Sequence, residues 1–267
     1  GVRHQDHLGA GGLHRLLRHD DGGPGLGGIQ PSQADYWQAT KATGHGDFQI
    51  LVFAPSTVQE MVDFVSLAFD LGDKYRMPAM ILADGMLGQM MEPVEFKDQG
   101  ENAKIDKPWA LTGHQFKRPH NVVNSLYLKP ADLERLVKER FERYETIKKT
   151  EQRAEEYLVD DADIVVVAYG ASSRVARSAV NAARAEGIKA GLIRPITLWP
   201  FPTDALQRAA QHVKKFLAVE MSMGQMVDDV RLAIHDQKPV EFYGRTGGMI
   251  PTPAEVLGAV KKAGGVL

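Results

Sequence analysis

The stretch ADIVVVAYGASSRVARSAVNAARAEGIKAGLI, residues 162–193, decides the fold class. Residues 162–168 read as a strand, with Ile164, Val165, Val166, Val167 and Ala168 an unbroken apolar run. Gly170, Ala171, Ser172 and Ser173 then mark a tight turn, and residues 174–186 predict a helix with Val175, Ala179, Ala182 and Ala183 facing inward. A second strand is predicted over residues 189–193. Downstream the alternation continues: helix 203–213, strand 215–220, helix 226–235, strand 240–243 and helix 253–262, which Thr252 caps with Pro253 at its first position. Strict alternation of strand and helix predicts a three-layer α/β domain.

Upstream, residues 48–53 read as a buried strand, 58–75 as a helix and 78–83 as a second strand. Ser56 with Gln59, or Thr57 with Glu60, makes the capping box that starts the helix. A strand, helix and strand of these lengths form a right-handed crossover in a parallel sheet. Between the two α/β parts, residues 97–124 are polar and irregular, and residues 132–157 read as one charged helix with Leu133, Leu136, Val137, Phe141, Tyr144 and Ile147 along a line. A solvated bridge helix is expected there, with partner docking as the alternative.

Composition excludes several functions. The chain has 267 residues, 43% hydrophobic and 25% charged, which is ordinary for a globular protein. It has no cysteine, so disulfides, thiolate metal sites and iron-sulfur clusters ligated by its own cysteines are ruled out. Lys+Arg 32 against Asp+Glu 34 leaves a net charge of -2, and no nucleic-acid partner is expected from so balanced a chain. No apolar run is long enough to span a bilayer and no signal-peptide h-region is present, so a cytoplasmic protein without membrane contact is expected. Residues 1–21 differ from the rest. They hold four of the nine histidines, His4, His7, His14 and His19, without a helical i, i+4 pair, and read as a disordered leader.

Short motifs are weaker guides. Gly23, Gly25 and Gly28 satisfy G-x-G-x-x-G, with Asp47 nineteen residues beyond, but no strand precedes them and Ile29-Gln30-Pro31 follows where a dinucleotide site opens a helix. The turn at 170–173 offers backbone N–H groups and hydroxyls to an anion, or merely a helix cap. Asp84, Glu92, Glu220 and Asp228 stand at or just after predicted strand ends, where acid–base chemistry and capping both place carboxylates.

Longer blocks are more specific. GGPGLGGIQPSQADYWQATKATGHGDF at 22–48, APSTVQEMVDFVSLAFDLGDKYRMPAMILADGMLGQMMEP at 54–93, GHQFKRPHN at 113–121, AYGASSRVARSAV at 168–180, GLIRPITLWPFP at 191–202, VEMSMGQMVDDVR at 219–231 and GRTGGMIPTPAEV at 244–256 resemble the alpha subunit of 2-oxoacid:ferredoxin oxidoreductases, nearest the 2-oxoisovalerate type. The resemblance implies an α/β fold in which residues 22–96 are part of a thiamine-diphosphate pyrimidine-binding domain. Residues 97–161 would be a connector with its charged helix, and residues 162–267 a transketolase C-terminal-like three-layer α/β/α domain. It further implies oxidative decarboxylation of a 2-oxo acid, with transfer of the acyl group to coenzyme A and of two electrons to ferredoxin. Thiamine diphosphate and magnesium would be shared with a beta subunit, and iron-sulfur clusters would sit on partner subunits only, which suits a chain without cysteine.

Carried over residue by residue, the family's glycine loop beside substrate and cofactor falls on Gly25, Leu26, Gly27 and Gln33. His45 and Asp47 lie near that interface, while Gly224, Gln225, Gly247 and Gly248 read as turn and packing residues. The family's N-terminal glutamate and its Tyr-Pro-Ile-Thr loop have no counterpart, and Asp21 stands where an arginine usually precedes Gly-Gly-Pro, so no catalytic residue is assigned. The expectation is a truncated family member behind a foreign or frame-shifted leader, its first sheet left with exposed edges. The alternative is a catalytically incompetent subunit-association module.

Overall fold

The computed structural model describes residues 30–41, 46–96 and 107–265, together with the backbone of 15–20. Residues 162–193 lie at the centre of the larger of two sheets, which has five strands. These are β4 (Ala154–Tyr157), β5 (Ile164–Val167), β6 (Ala190–Pro195), β8 (Lys215–Glu220) and β9 (Val240–Gly244), in the order β4-β6-β5-β8-β9. All neighbours are parallel except β4, which runs antiparallel along β6. Alternate side chains of β5 serve two cores. Ile164 and Val166 pack with Ala176, Ala179, Val180 and Val256 from α5 (Gly170–Ala185) and α8 (Pro253–Gly264). Val165 and Val167 face a second core that includes Leu206 of α6 (Thr203–Ala210) and Val230 of α7 (Met226–Ala233). Helices on both faces are why the run carries no polar alternation.

The smaller sheet has the order β1-β3-β2-β7, with β1 (Arg15–Asp20), β2 (Leu51–Phe53), β3 (Ala79–Asp84) and β7 (Thr197–Trp199). The predicted crossover is present: β2 and β3 are parallel and joined through α2 (Val58–Tyr75). Thr57 caps α2 by accepting from the Glu60 N–H at 3.1 Å, but the Glu60 carboxylate turns back to Ser56, not to Thr57. At α8 the reciprocal box between Thr252 and Glu255 is complete.

Three strands depart from the expectations. Residues 15–20, placed in the expected leader, pair in parallel with β3. Residues 154–157 leave the predicted charged helix, which ends as α4 (Pro130–Thr150), because Glu155 and Glu156 find arginine partners beside the sheet. Residues 197–199 cross over to pair antiparallel with β2. The edge strands of this sheet are β1 and β7. Strand β3 is buried along its whole length between β1 and β2, and β2 is buried between β3 and β7.

Only Tyr144 and Ile147 of α4 are buried, so its charge is solvated, as in a bridge helix. Tyr144 sets its ring edge-on to Trp199, centroids 5.4 Å apart, and Glu151 at the end of α4 accepts from Lys74 and Tyr75 of α2. Residues 107–129 form neither helix nor strand. Among the described residues no helix is long and apolar enough to cross a membrane.

Candidate functional site

Strands β3, β5 and β8 all end at one seam between the sheets, the place where open α/β sheets gather ligands. Asp84 closes β3 and uses both carboxylate oxygens as helix caps. Oδ1 accepts from the Leu87 N–H at 3.0 Å in α3 (Gly85–Gly88), and Oδ2 accepts from the Ala171 N–H at 2.9 Å in the first turn of α5. Burial pushes the Asp84 carboxyl above its ordinary range, and the backbone N–H groups of Ala171 and Leu87 offset only part of that. Gly170 makes the approach possible: its φ is +55°, and a Cβ there would stand 2.8 Å from Asp84 Oδ2 and 3.2 Å from Gln33 Nε2. The anion-binding turn anticipated at 170–173 is thus filled by the protein's own carboxylate. Ser172 Oγ donates to Gln33 Oε1 at 3.0 Å, and Ser173 Oγ to the Gly170 carbonyl at 2.6 Å.

The other strand-end carboxylates are equally committed. Glu220, fully buried, accepts from the N–H groups of Gln225, Met226 and Val227 and so caps α7. Glu92 accepts from the Val58 N–H and pairs with Arg174, and Asp228 pairs with Arg231 one turn away. None of the four has the unpartnered geometry of an acid–base pair.

Residues 30–41 lie in the seam. Gln33 is fully buried; its Oε1 also accepts from the Met221 N–H at 2.9 Å, its Nε2 donates to the Tyr169 carbonyl at 2.9 Å, and its own N–H donates to the Met221 carbonyl at 2.8 Å. Gln225 spans the next turn, donating to the Ala34 carbonyl at 2.7 Å and accepting from the Trp37 N–H at 2.8 Å. Tyr36, of α1 (Tyr36–Thr40), packs its ring at a tilt of 44° against Tyr169, centroids 5.8 Å apart, and donates to Asp229 at 2.6 Å. Burial, then the Asp229 charge, holds its phenol well above the usual tyrosine range. Gly248, at φ +87°, lies so near that a Cβ would come within 2.4 Å of Gln30 Cβ.

Of the residues expected to contact cofactor, Gln33 is placed here, with its amide spent on protein partners, while Gly25, Leu26 and Gly27 lie outside the described residues, as does His45. Gly224 and Gly247, both at positive φ, are turn residues, and Asp47 is exposed.

Sequence reasoning missed Arg194. This arginine on β6 is 5% exposed, forks onto Glu60 of α2 at 2.7 and 2.9 Å and reaches Glu155 of β4 at 2.8 Å. A lone arginine inside the apolar run GLIRP was its only signal. Burial raises the Glu155 carboxyl, but bonds from Arg194 and Arg177 outweigh that and hold it below its ordinary range.

The fold and seam define a class: an α/β protein with two sheets that turn strand ends toward one shared boundary. Comparison with known proteins narrows this. Residues 22–159 match the family model "Pyruvate flavodoxin/ferredoxin oxidoreductase, thiamine diP-bdg", and residues 162–256 match "Pyruvate:ferredoxin oxidoreductase core domain II". The ketoisovalerate oxidoreductase subunit VorB of Methanothermobacter thermautotrophicus is 48% identical over 243 residues, 91% of this chain and 68% of that protein. The 2-oxoglutarate synthase subunit KorA of Methanothermobacter marburgensis is 33% identical, over 86% of this chain and 68% of that one. A solved 2-oxoglutarate:ferredoxin oxidoreductase from Magnetococcus marinus shares the fold, with a TM-score of 0.73 at 20% identity over 96% of this chain and 49% of its own. The chain belongs to the 2-oxoacid:ferredoxin oxidoreductase family, whose members act on 2-oxo acids.

The family's thiamine diphosphate can be tested against the side chains. A diphosphate with its metal needs free cations, free helix N-termini or clustered carboxylates. Here Asp84 and Glu220 occupy the helix starts that face the seam, and no cluster of three or more His, Asp or Glu with metal-binding geometry occurs among the described residues. Those residues do not fit the diphosphate end.

Proposed function

We propose that this chain is the alpha-type subunit of a cytoplasmic, thiamine-diphosphate-dependent complex that oxidatively decarboxylates a branched 2-oxo acid resembling 2-oxoisovalerate. The acyl group goes to coenzyme A and the electrons to ferredoxin. The 48% identity to a ketoisovalerate oxidoreductase subunit carries this reading. Bound thiamine diphosphate supplies the electron sink for loss of carbon dioxide. A beta subunit holds its diphosphate and magnesium, which accords with the filled helix starts of this chain, and cluster-bearing subunits lead the electrons out. Residues 22–96 serve as a partial pyrimidine-binding domain and residues 162–267 as the transketolase C-terminal-like one. Gly25, Leu26 and Gly27 face cofactor and substrate, Gln33 supporting them.

The second reading, an inert association module, is favoured by one observation: Asp21 stands where the family's arginine would bind the substrate carboxylate, and like charges repel. Co-expression with matching beta and cluster-bearing subunits separates the two. Viologen reduction dependent on 2-oxoisovalerate, thiamine diphosphate and coenzyme A is expected; a complex that assembles but reduces nothing with any 2-oxo acid establishes the module instead.

A further inference from the structure

We propose that residues 107–129, with the first turns of α4, are a docking surface for a different subunit of the complex, one that presents an apolar hollow rimmed by carboxylates. The inference rests on the functional reading above for the existence of such a subunit. The stretch has neither helix nor strand, yet its own bonds hold it in shape. Asn121 Nδ2 donates to the carbonyls of Pro108 and Ala110 at 2.6 and 3.0 Å, and Arg118 donates to those of Ala110, Gly113 and Pro119 at 3.4, 3.3 and 3.0 Å. The rings of His114 and His120 lie 3.9 Å apart. At its start the loop is moored to the end of α2: Lys107 pairs with Asp73, and the Arg76 guanidinium lies 4.8 Å from the centre of the Trp109 ring. While these polar groups bond to one another, Leu111, Phe116, Val122, Leu126 and Leu128 are left in water. Phe116 is the extreme case: its ring meets the edge of His114, centroids 5.0 Å apart, but the residue is 95% exposed at a φ of +57°, where a bulky side chain is strained. A partner that buries the ring would offset that strain, and a loop already held in shape has less freedom to lose on binding. The surface continues onto α4, whose apolar line reaches the core through Tyr144 and Ile147 and leaves Leu133 and Phe141 exposed.

Charge selects the occupant. Residues 107–129 carry Lys107, Lys117, Arg118 and Lys129 and no acidic residue, in a chain whose net charge is -2. Among the described residues, Lys107 alone of these four has a carboxylate partner. A symmetric contact with a second copy through this surface would set the remaining cations against one another. Nor does α4 offer a free acidic rim, because Glu134, Glu139 and Glu145 are paired along the helix with Lys138, Arg135 and Lys148. The rim therefore comes from another chain, whose carboxylates steer the encounter while the apolar anchors hold it.

The test uses the full chain with the purified beta and cluster-bearing subunits of its complex. Binding of each to the immobilised chain is measured at several salt concentrations, and amide hydrogen exchange is compared between the free chain and the assembled complex. Phe116→Ser with Leu126→Ser is expected to weaken one of these pairings by about tenfold or more while the Tm of the chain alone is unchanged. Lys117→Glu with Lys129→Glu is expected to weaken the same pairing and to flatten its salt dependence. Exchange of peptides spanning 107–141 is expected to slow on assembly. The proposal is overturned if both double variants keep every affinity within about twofold of the parent, if exchange of 107–141 is the same free and assembled, or if the parent binds none of the subunits. Sedimentation that shows the chain alone as a dimer, lost in the Phe116→Ser, Leu126→Ser variant, overturns it in favour of a second copy. A complex that assembles through this surface but reduces nothing with any 2-oxo acid supports the docking surface and removes the functional reading.

Discussion

The two sheets are assembled in opposite ways. The five-stranded sheet takes every strand from residues 154–244, and its central strand β5 is covered by helices on both faces. The four-stranded sheet collects β1, the pair β2 and β3, and β7, which arrives from beyond β6 on a stretch that otherwise serves the larger sheet. The first sheet is therefore completed by the second half of the chain, and three further ties cross the seam: Asp84 to α5, Arg194 to Glu60, and the Gln33 segment to β8. Such cross-bracing predicts that the two halves unfold as one cooperative unit, whereas self-sufficient sheets would separate.

Arg194→Met tests that most severely. It leaves Glu60 without its guanidinium partner and Glu155 with Arg177 alone. Breaking a buried pair costs about 3–5 kcal/mol. Both carboxylates keep some solvent, 24% and 38% exposed, so about 2–3 kcal/mol is expected. Urea denaturation should show it as a lower midpoint with one transition. Two separated transitions in the unmodified protein would break the comparison outright. Gly170→Ala comes next, at about 2 kcal/mol, from an L-residue held at positive φ together with a Cβ against Asp84. A loss under half of that would mean the node is slack.

Asp84 makes the seam's pH dependence distinctive. A carboxyl whose folded-state pKa is raised contributes stability that is full below its unfolded pKa and is lost as pH rises through the folded value. Glu155 behaves oppositely: its folded pKa is lowered, so its contribution is present above the unfolded pKa and is lost as pH falls. On acidification Asp84 therefore offsets part of what Glu155 gives up. Asp84→Asn should destabilise at every pH, and the gap from the parent should widen between neutral pH and the ordinary aspartate range. Denaturation at several pH values reads this directly, and a gap that narrows on acidification refutes the assignment. Tyr36→Phe removes only the hydrogen bond to Asp229 and is expected to cost about 1 kcal/mol.

This contrast also explains what was legible in the sequence. Residues 58–75 were read to the residue because capping, periodicity and termination are local. The α/β alternation after residue 162 was legible for the same reason. Strand β7 was not: three residues hold it in place only through a partner more than a hundred positions away, and no window of sequence contains both. Strand β4 was hidden because Glu155 and Glu156 favour a helix until arginines beside the sheet claim them. At the site, Gln33 was found through a resemblance to a family, not from its own residue type. What it does emerged only from its three partners, and an amide in a loop gives no sign of them. The filled helix starts at 171 and 226 were half legible. Serines and glycines announced the turns, but Asp84 and Glu220 had to be brought there by the fold.

The smallest effect belongs to the stretch joining the two halves. Leu111, Phe116, Val122, Leu126 and Leu128 are each at least 68% exposed, on a segment with neither helix nor strand. Exposed apolar side chains contribute little to folding, because the unfolded chain leaves them in the same water. Phe116→Ser with Leu126→Ser should therefore change the unfolding free energy by less than about 0.5 kcal/mol. Limited proteolysis of either protein should cut first within 107–129 and leave the fragments on both sides associated, because β7, Asp84, Arg194 and Gln33 hold them independently of that segment. If the fragment carrying β2 and β3 instead falls away after this single cut, those ties are too weak to make the two sheets one unit. The segment 107–129 would then be what keeps them together.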